Sequence, residues 1–167
     1  MPNENEVYQL LKHHIEKLGW NVLGGEPPGG TNHIPVIELK DPENREKGSK
    51  GSKKIDLIGF KNGFFLLLEL KEQYSKTDVE KLNEIVESKK WREAFLNALE
   101  DKKIITKNKL QISKSQYIDS KDFLIKSLGF TNSDKFGPDD FITFHVSKDK
   151  ICIHFGKNID EKIKKLF

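Results

Sequence analysis

Three residues in one short stretch have the types and spacing to do chemistry together: Asp56, Glu69 and Lys71. Between the two acids lies Lys61-Asn62-Gly63, flanked by apolar runs over 55–60 and 64–70. Asn-Gly between apolar runs is the strongest short-range hairpin signal, because both turn residues take positive φ. With a two-residue turn Lys61 pairs with Phe64, and counting outward sets Asp56 opposite Glu69. Directly opposed side chains of an antiparallel pair share a face, with Cβ atoms about 4.5–5.5 Å apart. Two carboxylates so placed repel each other, and a divalent cation between them removes the repulsion. Lys71, two residues beyond Glu69, falls on the same face. Two carboxylates with water and phosphate oxygens are a usual ligand supply for Mg²⁺. A metal held there can acidify a bound water and polarise a phosphoryl oxygen, while the ammonium steadies developing negative charge. A three-residue loop would shift the register by one and carry Asp56 off the face of Glu69.

The elements that must position this set are readable around it. Val7, Leu10, Leu11, His14, Ile15 and Leu18 recur at helical spacing, which predicts a helix over 4–18 ended by Gly19. A short strand is expected over 20–23 and another over 34–39, with the Gly- and Pro-rich segment 24–31 as loop. The second run of the hairpin is apolar without alternation, as in a strand buried on both faces. Helical spacing resumes over 77–99, with Thr77 as cap, Glu80 completing a capping box and a break near Ser88-Lys89-Lys90. Beyond it we expect a strand at 103–106, a short helix at 120–128, and a second hairpin from 141–146 and 151–155 around Ser147–Lys150.

Lys54-Ile55-Asp56, twelve residues, then Glu69-Leu70-Lys71 resembles the signature of the PD-(D/E)xK nuclease superfamily, with Ile55 where the family name has Pro. The resemblance implies an α+β fold of the restriction-endonuclease type, a mixed sheet flanked by helices in αβββαβ order. It implies that Asp56, Glu69 and the backbone carbonyl of Leu70 ligate Mg²⁺, for which Mn²⁺ would substitute, and that Lys71 positions or activates the attacking water. It also implies hydrolysis of DNA phosphodiesters, leaving 5′-phosphate ends, and a homodimer acting on the two strands of a duplex. A small type II restriction enzyme is the reading it favours. A junction-resolving or repair nuclease of the same fold is the alternative within the class, and a non-catalytic nucleic-acid-binding module on that fold is the alternative outside it. The family often adds an acidic residue from the first helix. Glu4 shares the inward face of Val7 and Leu11, and Glu6 is the second candidate; either carboxylate also suits a helix N-terminus for its dipole alone.

A duplex needs lysines gathered on one face. The candidates are Lys50, Lys53 and Lys54 in the polar segment before the hairpin, and Lys89, Lys90 and Arg92 around Trp91. Thr31, after Gly29-Gly30, is a further candidate by likeness to junction resolvases of this fold. His145, Cys152 and His154 can share one face of the last hairpin, but three ligands on two adjacent strands fit packed or exposed strand residues better than zinc.

Length and composition bound these readings. At 167 residues the chain is expected to be one domain, with a catalytic core over about 1–110 and 111–167 serving recognition or dimerisation. A charged fraction of 33% against 35% hydrophobic makes it wet, yet eleven Phe furnish a core. The balance of 29 basic and 26 acidic residues permits a nucleic-acid partner without announcing one. No run approaches the roughly 18 apolar residues of a membrane span, the first 20 or so residues lack the apolar block of a signal peptide, and one cysteine allows no intrachain disulfide. A cytoplasmic location is the expectation.

Overall fold

The strand order of the main sheet is β1-β4-β5-β6-β7-β8, and the hairpin that carries Asp56 and Glu69 supplies two of its inner strands. The structure is a computed structural model that describes residues 3–26, 34–41, 43, 51–131 and 133–167. Its elements are α1 (Glu4–Lys17), β1 (Asn21–Gly24), β2 (Glu38–Leu39), β3 (Lys53–Lys54), β4 (Leu57–Lys61), β5 (Phe64–Lys71), α2 (Lys76–Glu87) and α3 (Lys89–Asp101). They continue with α4 (Ile104–Lys107), α5 (Lys114–Asp119), β6 (Leu124–Phe130), β7 (Phe141–Val146), β8 (Ile151–Phe155) and α6 (Glu161–Lys164). β1, β4 and β5 run antiparallel to their neighbours, β5, β6 and β7 run parallel, and β8 returns antiparallel to β7. The fold is therefore mixed α/β around a six-stranded mixed sheet, with β2 and β3 forming a separate two-stranded ribbon. No helix among the described residues is long and apolar enough to cross a membrane.

Asn62 and Gly63 take φ of +49° and +86°, so the turn is the two-residue kind that the sequence requires. β5 is buried on both faces because helices cover both. Leu66, Leu68 and Leu70 pack with Val7, Tyr8, Leu11 and Ile15 of α1. Phe65 and Leu67 pack with Leu82, Ile85, Phe95 and Leu99 of α2 and α3, where Phe65 meets Phe95 edge-on at 5.2 Å. Each such side chain contributes roughly 1.5–3 kcal/mol by leaving water. The apolar stripe of α1 runs through Tyr8 rather than Leu10, which is exposed.

Several expected elements differ. Residues 103–106 form no strand: Lys103 is left-handed at φ +57° and α4 follows, because Ile104 is anchored in the core beside α3. Residues 124–130 are not a helix but the parallel partner of β5. The segment 111–167 is consequently not an appendage, since β6, β7 and β8 complete the sheet that holds the candidate core. The α2 cap is Ser75, whose Oγ accepts from the Asp78 N–H at 3.3 Å, so Asp78 and not Glu80 stands at the third position. The break between α2 and α3 falls at Ser88, which caps α3.

Candidate active site

The ladder between β4 and β5 ends at Leu57 with Leu68, in the register counted from the turn. Continuing it by one residue sets Asp56 across from Glu69. The chain departs from β4 here, but Asp56 keeps its place through Oδ2, which accepts the Leu70 N–H at 2.8 Å. On the other side the Glu26 N–H donates to the carbonyls of Ile55 and Asp56 at 3.0 and 3.1 Å. This close passage needs Gly25: a Cβ built there would lie 2.2 Å from the Asp56 carbonyl oxygen.

Leu57 and the even residues of β5 face α1, so alternation turns Asp56, Glu69 and Lys71 toward α2. There Glu69 is 2% exposed. Its pKa is pushed up to about 9, first by burial, then by the hydrogen bond and negative charge of Asp56, with Lys81 acting against both. Lys81, on α2, sets its ammonium against Glu69 Oε1 and donates to the Lys54 carbonyl at 2.7 Å. Glu69 thus has a polar side chain on either side of it, the Lys81 ammonium and the Asp56 carboxyl. Asp78, also buried, has its pKa raised by burial, with Lys71 and Lys81 opposing and Asp56 adding to the rise. Lys71 itself is exposed at the end of β5.

Asp56 and Glu69 are neighbours here, with Lys81 against Glu69, while Lys71 lies two residues further along β5 and acts on Asp78, which the charge of Asp56 also reaches. Asp78 had a visible signal in Ser75-x-x-Asp78, a cap motif that aims a carboxylate at the first turn. Lys81 had none, since it reads as a solvated position beside the apolar stripe of α2. The set lies at the carboxyl end of β5, where β5 and β6 run parallel, and open α/β sheets bind ligands beyond the carboxyl ends of such strands.

The donor chemistry fits Mg²⁺. It comprises two carboxylates in contact and the Leu70 carbonyl, which points to the same strand edge as the N–H that Asp56 accepts. No larger group of three or more His, Cys, Asp and Glu side chains is placed to hold a metal among the described residues.

The other predicted residues are placed differently. Glu6 is committed to the α1 capping box with Asn3, and Glu4 is exposed in the same turn. α1 covers the opposite face of the sheet from Glu69, and neither glutamate is brought into contact with the carboxylate pair. The α1 residue coupled to the site is Tyr8, whose pKa is pushed up to about 12 by burial, then by Glu16 and Asp56. Thr31 and Lys50 lie outside the described residues. Lys53 pairs with Glu84 at 3.0 Å, with its Nζ 4.8 Å from the centre of the Trp91 ring, and Lys54 pairs with Glu26 at 3.3 Å. Lys89 pairs with Asp119 at 3.2 Å, an exposed pair of a kind weak enough to open, and Lys90 pairs with Asp41 at 3.4 Å, where both side chains are half-buried. Arg92 is not a surface cation: it is buried, donating to the Val86 carbonyl at 2.8 Å and the Ile118 carbonyl at 2.9 Å. His145 stands opposite Cys152, and Phe136 stacks on His145 and His154 at 4.9 and 4.0 Å, so these residues pack as strand side chains.

No family model matches the chain, and neither curated proteins nor solved structures give a match to it.

Proposed function

We propose that this chain is a Mg²⁺-dependent endonuclease that hydrolyses DNA phosphodiester bonds, built on a restriction-endonuclease-like core and most like a small type II restriction enzyme. The observation that carries the reading is the contact of Asp56 with buried Glu69 at the open end of a hairpin, with Lys71 one pleat further on. Opposed carboxylates with one side nearly dry are a costly arrangement unless a proton, the Lys81 ammonium or a bound divalent cation compensates them, and only the last of these leaves both carboxylates ionised. The order α1, β1, β4, β5, α2–α5, β6 supports the fold, since it follows αβββαβ once the small ribbon β2–β3 is set aside and the run of helices α2–α5 is taken as one helical layer.

Bound Mg²⁺ supplies a polarised phosphoryl oxygen and a water of lowered pKa. Asp56, Glu69 and the Leu70 carbonyl would hold it. Lys71, exposed and on the same face, orients the attacking water and balances charge gathering on the phosphate oxygens. The water oxygen bonds to phosphorus, the bond from phosphorus to O3′ breaks, and O3′ leaves with a proton. The 5′-phosphate remains on the other fragment. A second copy of the chain supplies the second cut in a duplex, so the working form is a homodimer.

Sequencing the ends of plasmid DNA after incubation with the purified protein and Mg²⁺ tests the reading. Cuts at discrete positions with 5′-phosphate ends are expected. DNA left intact across protein concentrations, in a preparation whose fold is verified, overturns it.

A further inference from the structure

The proposed mechanism has no step for Lys81, yet this side chain lies deeper in the site than Lys71 does. Its ammonium is held between Glu69 Oε1 and the Lys54 carbonyl oxygen, two oxygens of the kind that surround a cation. The Lys81 side chain retains 26% exposure while Glu69 retains 2%, so the lysine has a way out to water and the carboxylate has none. It is mounted on α2 beside Leu82, which is fully buried, so its backbone is fixed and its four-carbon stem is free to swing.

We propose that Lys81 is the built-in counter-cation of Glu69, and that it is displaced from that carboxylate when Asp56 and Glu69 take a divalent cation. This rests on the nuclease reading of the same site. The physical ground is that one carboxylate oxygen does not serve two cations. Mg²⁺ takes oxygen ligands at about 2.0–2.1 Å in near-octahedral array. An ammonium left on the same oxygen would face a double positive charge a few ångströms away and be repelled by it. The lysine gives up an ion pair with one carboxylate oxygen and a hydrogen bond to the Lys54 carbonyl, and water can take its place on both. Released, its charge stays tethered at the mouth of the site, on the side where an anionic backbone would approach. The device holds a positive charge against the buried carboxyl, beside the proton that Glu69 shares with Asp56, until metal arrives.

Limited acylation of the whole protein with an N-hydroxysuccinimide ester, read by peptide mass spectrometry, reports the accessibility of each lysine. Mn²⁺ binding is followed separately by electron paramagnetic resonance. On saturation with Mn²⁺ the labelling of Lys81 is expected to rise at least threefold over protein in chelator, while that of Lys17, exposed at the end of α1 on the opposite face of the sheet, stays constant. In Asp56→Asn, which keeps an acceptor for the Leu70 N–H, the rise is expected to vanish along with Mn²⁺ binding. Mn²⁺ bound by the wild type with Lys81 labelling unchanged would overturn the role given to Lys81 and leave the nuclease reading standing. No Mn²⁺ bound by the folded wild type would overturn both.

Discussion

The Leu70 N–H donates to Asp56 Oδ2 at 2.8 Å, one step past the last ladder pair of the hairpin. The carboxylate we propose as a metal ligand thereby also acts as structure, completing the hydrogen bonding of β5 where β4 has turned away. Its own backbone is in turn clamped by Glu26, and Gly25 makes room for that clamp.

Gly25→Ala should therefore disturb the site from a distance in sequence. The added Cβ would meet the Asp56 carbonyl oxygen at 2.2 Å, and Gly25 has φ +149°, which alanine rarely adopts. We expect a stability loss of about 2–4 kcal/mol in urea unfolding, with weakened Mn²⁺ binding. Unaltered stability and binding would show that the passage beside Asp56 is not fixed as described.

The metal-free protein should lose stability as pH rises. Glu69 has its pKa raised from 4.5 to about 9 on folding, so between these values the folded state holds a proton that the unfolded state releases. Its contribution is fully favourable below the unfolded value and declines up to the folded one, by at most about 1.4 kcal/mol per pH unit. Asp78, shifted in the same direction, adds to the decline. Urea titrations in chelator between pH 5.5 and 8.5 are expected to show a negative slope that is much reduced in Glu69→Gln. A slope equal in both proteins would contradict the placement of Glu69.

Lys71→Ala is expected to lower the single-turnover cleavage rate by about 10²–10⁴, with DNA affinity in Ca²⁺ nearly unchanged. Lys71 is exposed and free of the sheet core, so the variant should fold normally. Lost affinity with an intact rate on bound DNA would make Lys71 a phosphate clamp.

Arg92→Ala is a stability variant and not a binding variant. It leaves the Val86 and Ile118 carbonyls without their guanidinium donor. A loss of about 3 kcal/mol is expected, with the salt dependence of DNA affinity unchanged. Lys89→Ala with Lys90→Ala should instead make that slope shallower by up to about 1.8 if both meet phosphates. A shallower slope in Arg92→Ala would contradict its burial.

The hairpin was legible because three independent signals agree on it: the Asn62-Gly63 turn, the unbroken apolar run of β5, and a count that sets two acids opposite each other. β6 was not. Its run Leu124-Ile-Lys-Ser-Leu-Gly-Phe holds a lysine, a serine and a glycine, which spoil any period. Tertiary partners pay for them: Lys126 meets Asp140 and Asn83, and Ser127 donates to the Leu67 carbonyl at 3.0 Å. The strand expected at 103–106 failed for the converse reason, since β-branched residues favour strands only where a sheet awaits them. Within the site, acids opposed by register can be counted, whereas Lys81 comes from an element whose docking no local pattern reveals.

The most direct test of the account is cleavage of plasmid DNA by wild type, Asp56→Asn and Glu69→Gln side by side, in Mg²⁺ and in chelator. Both substitutions keep the shape of the carboxylates they replace, so folded protein is expected in every case. The account predicts cleavage by wild type in Mg²⁺ alone, and a loss of at least about 10³-fold in either variant. Cleavage by either variant at the wild-type rate, or by wild type in chelator, would contradict it.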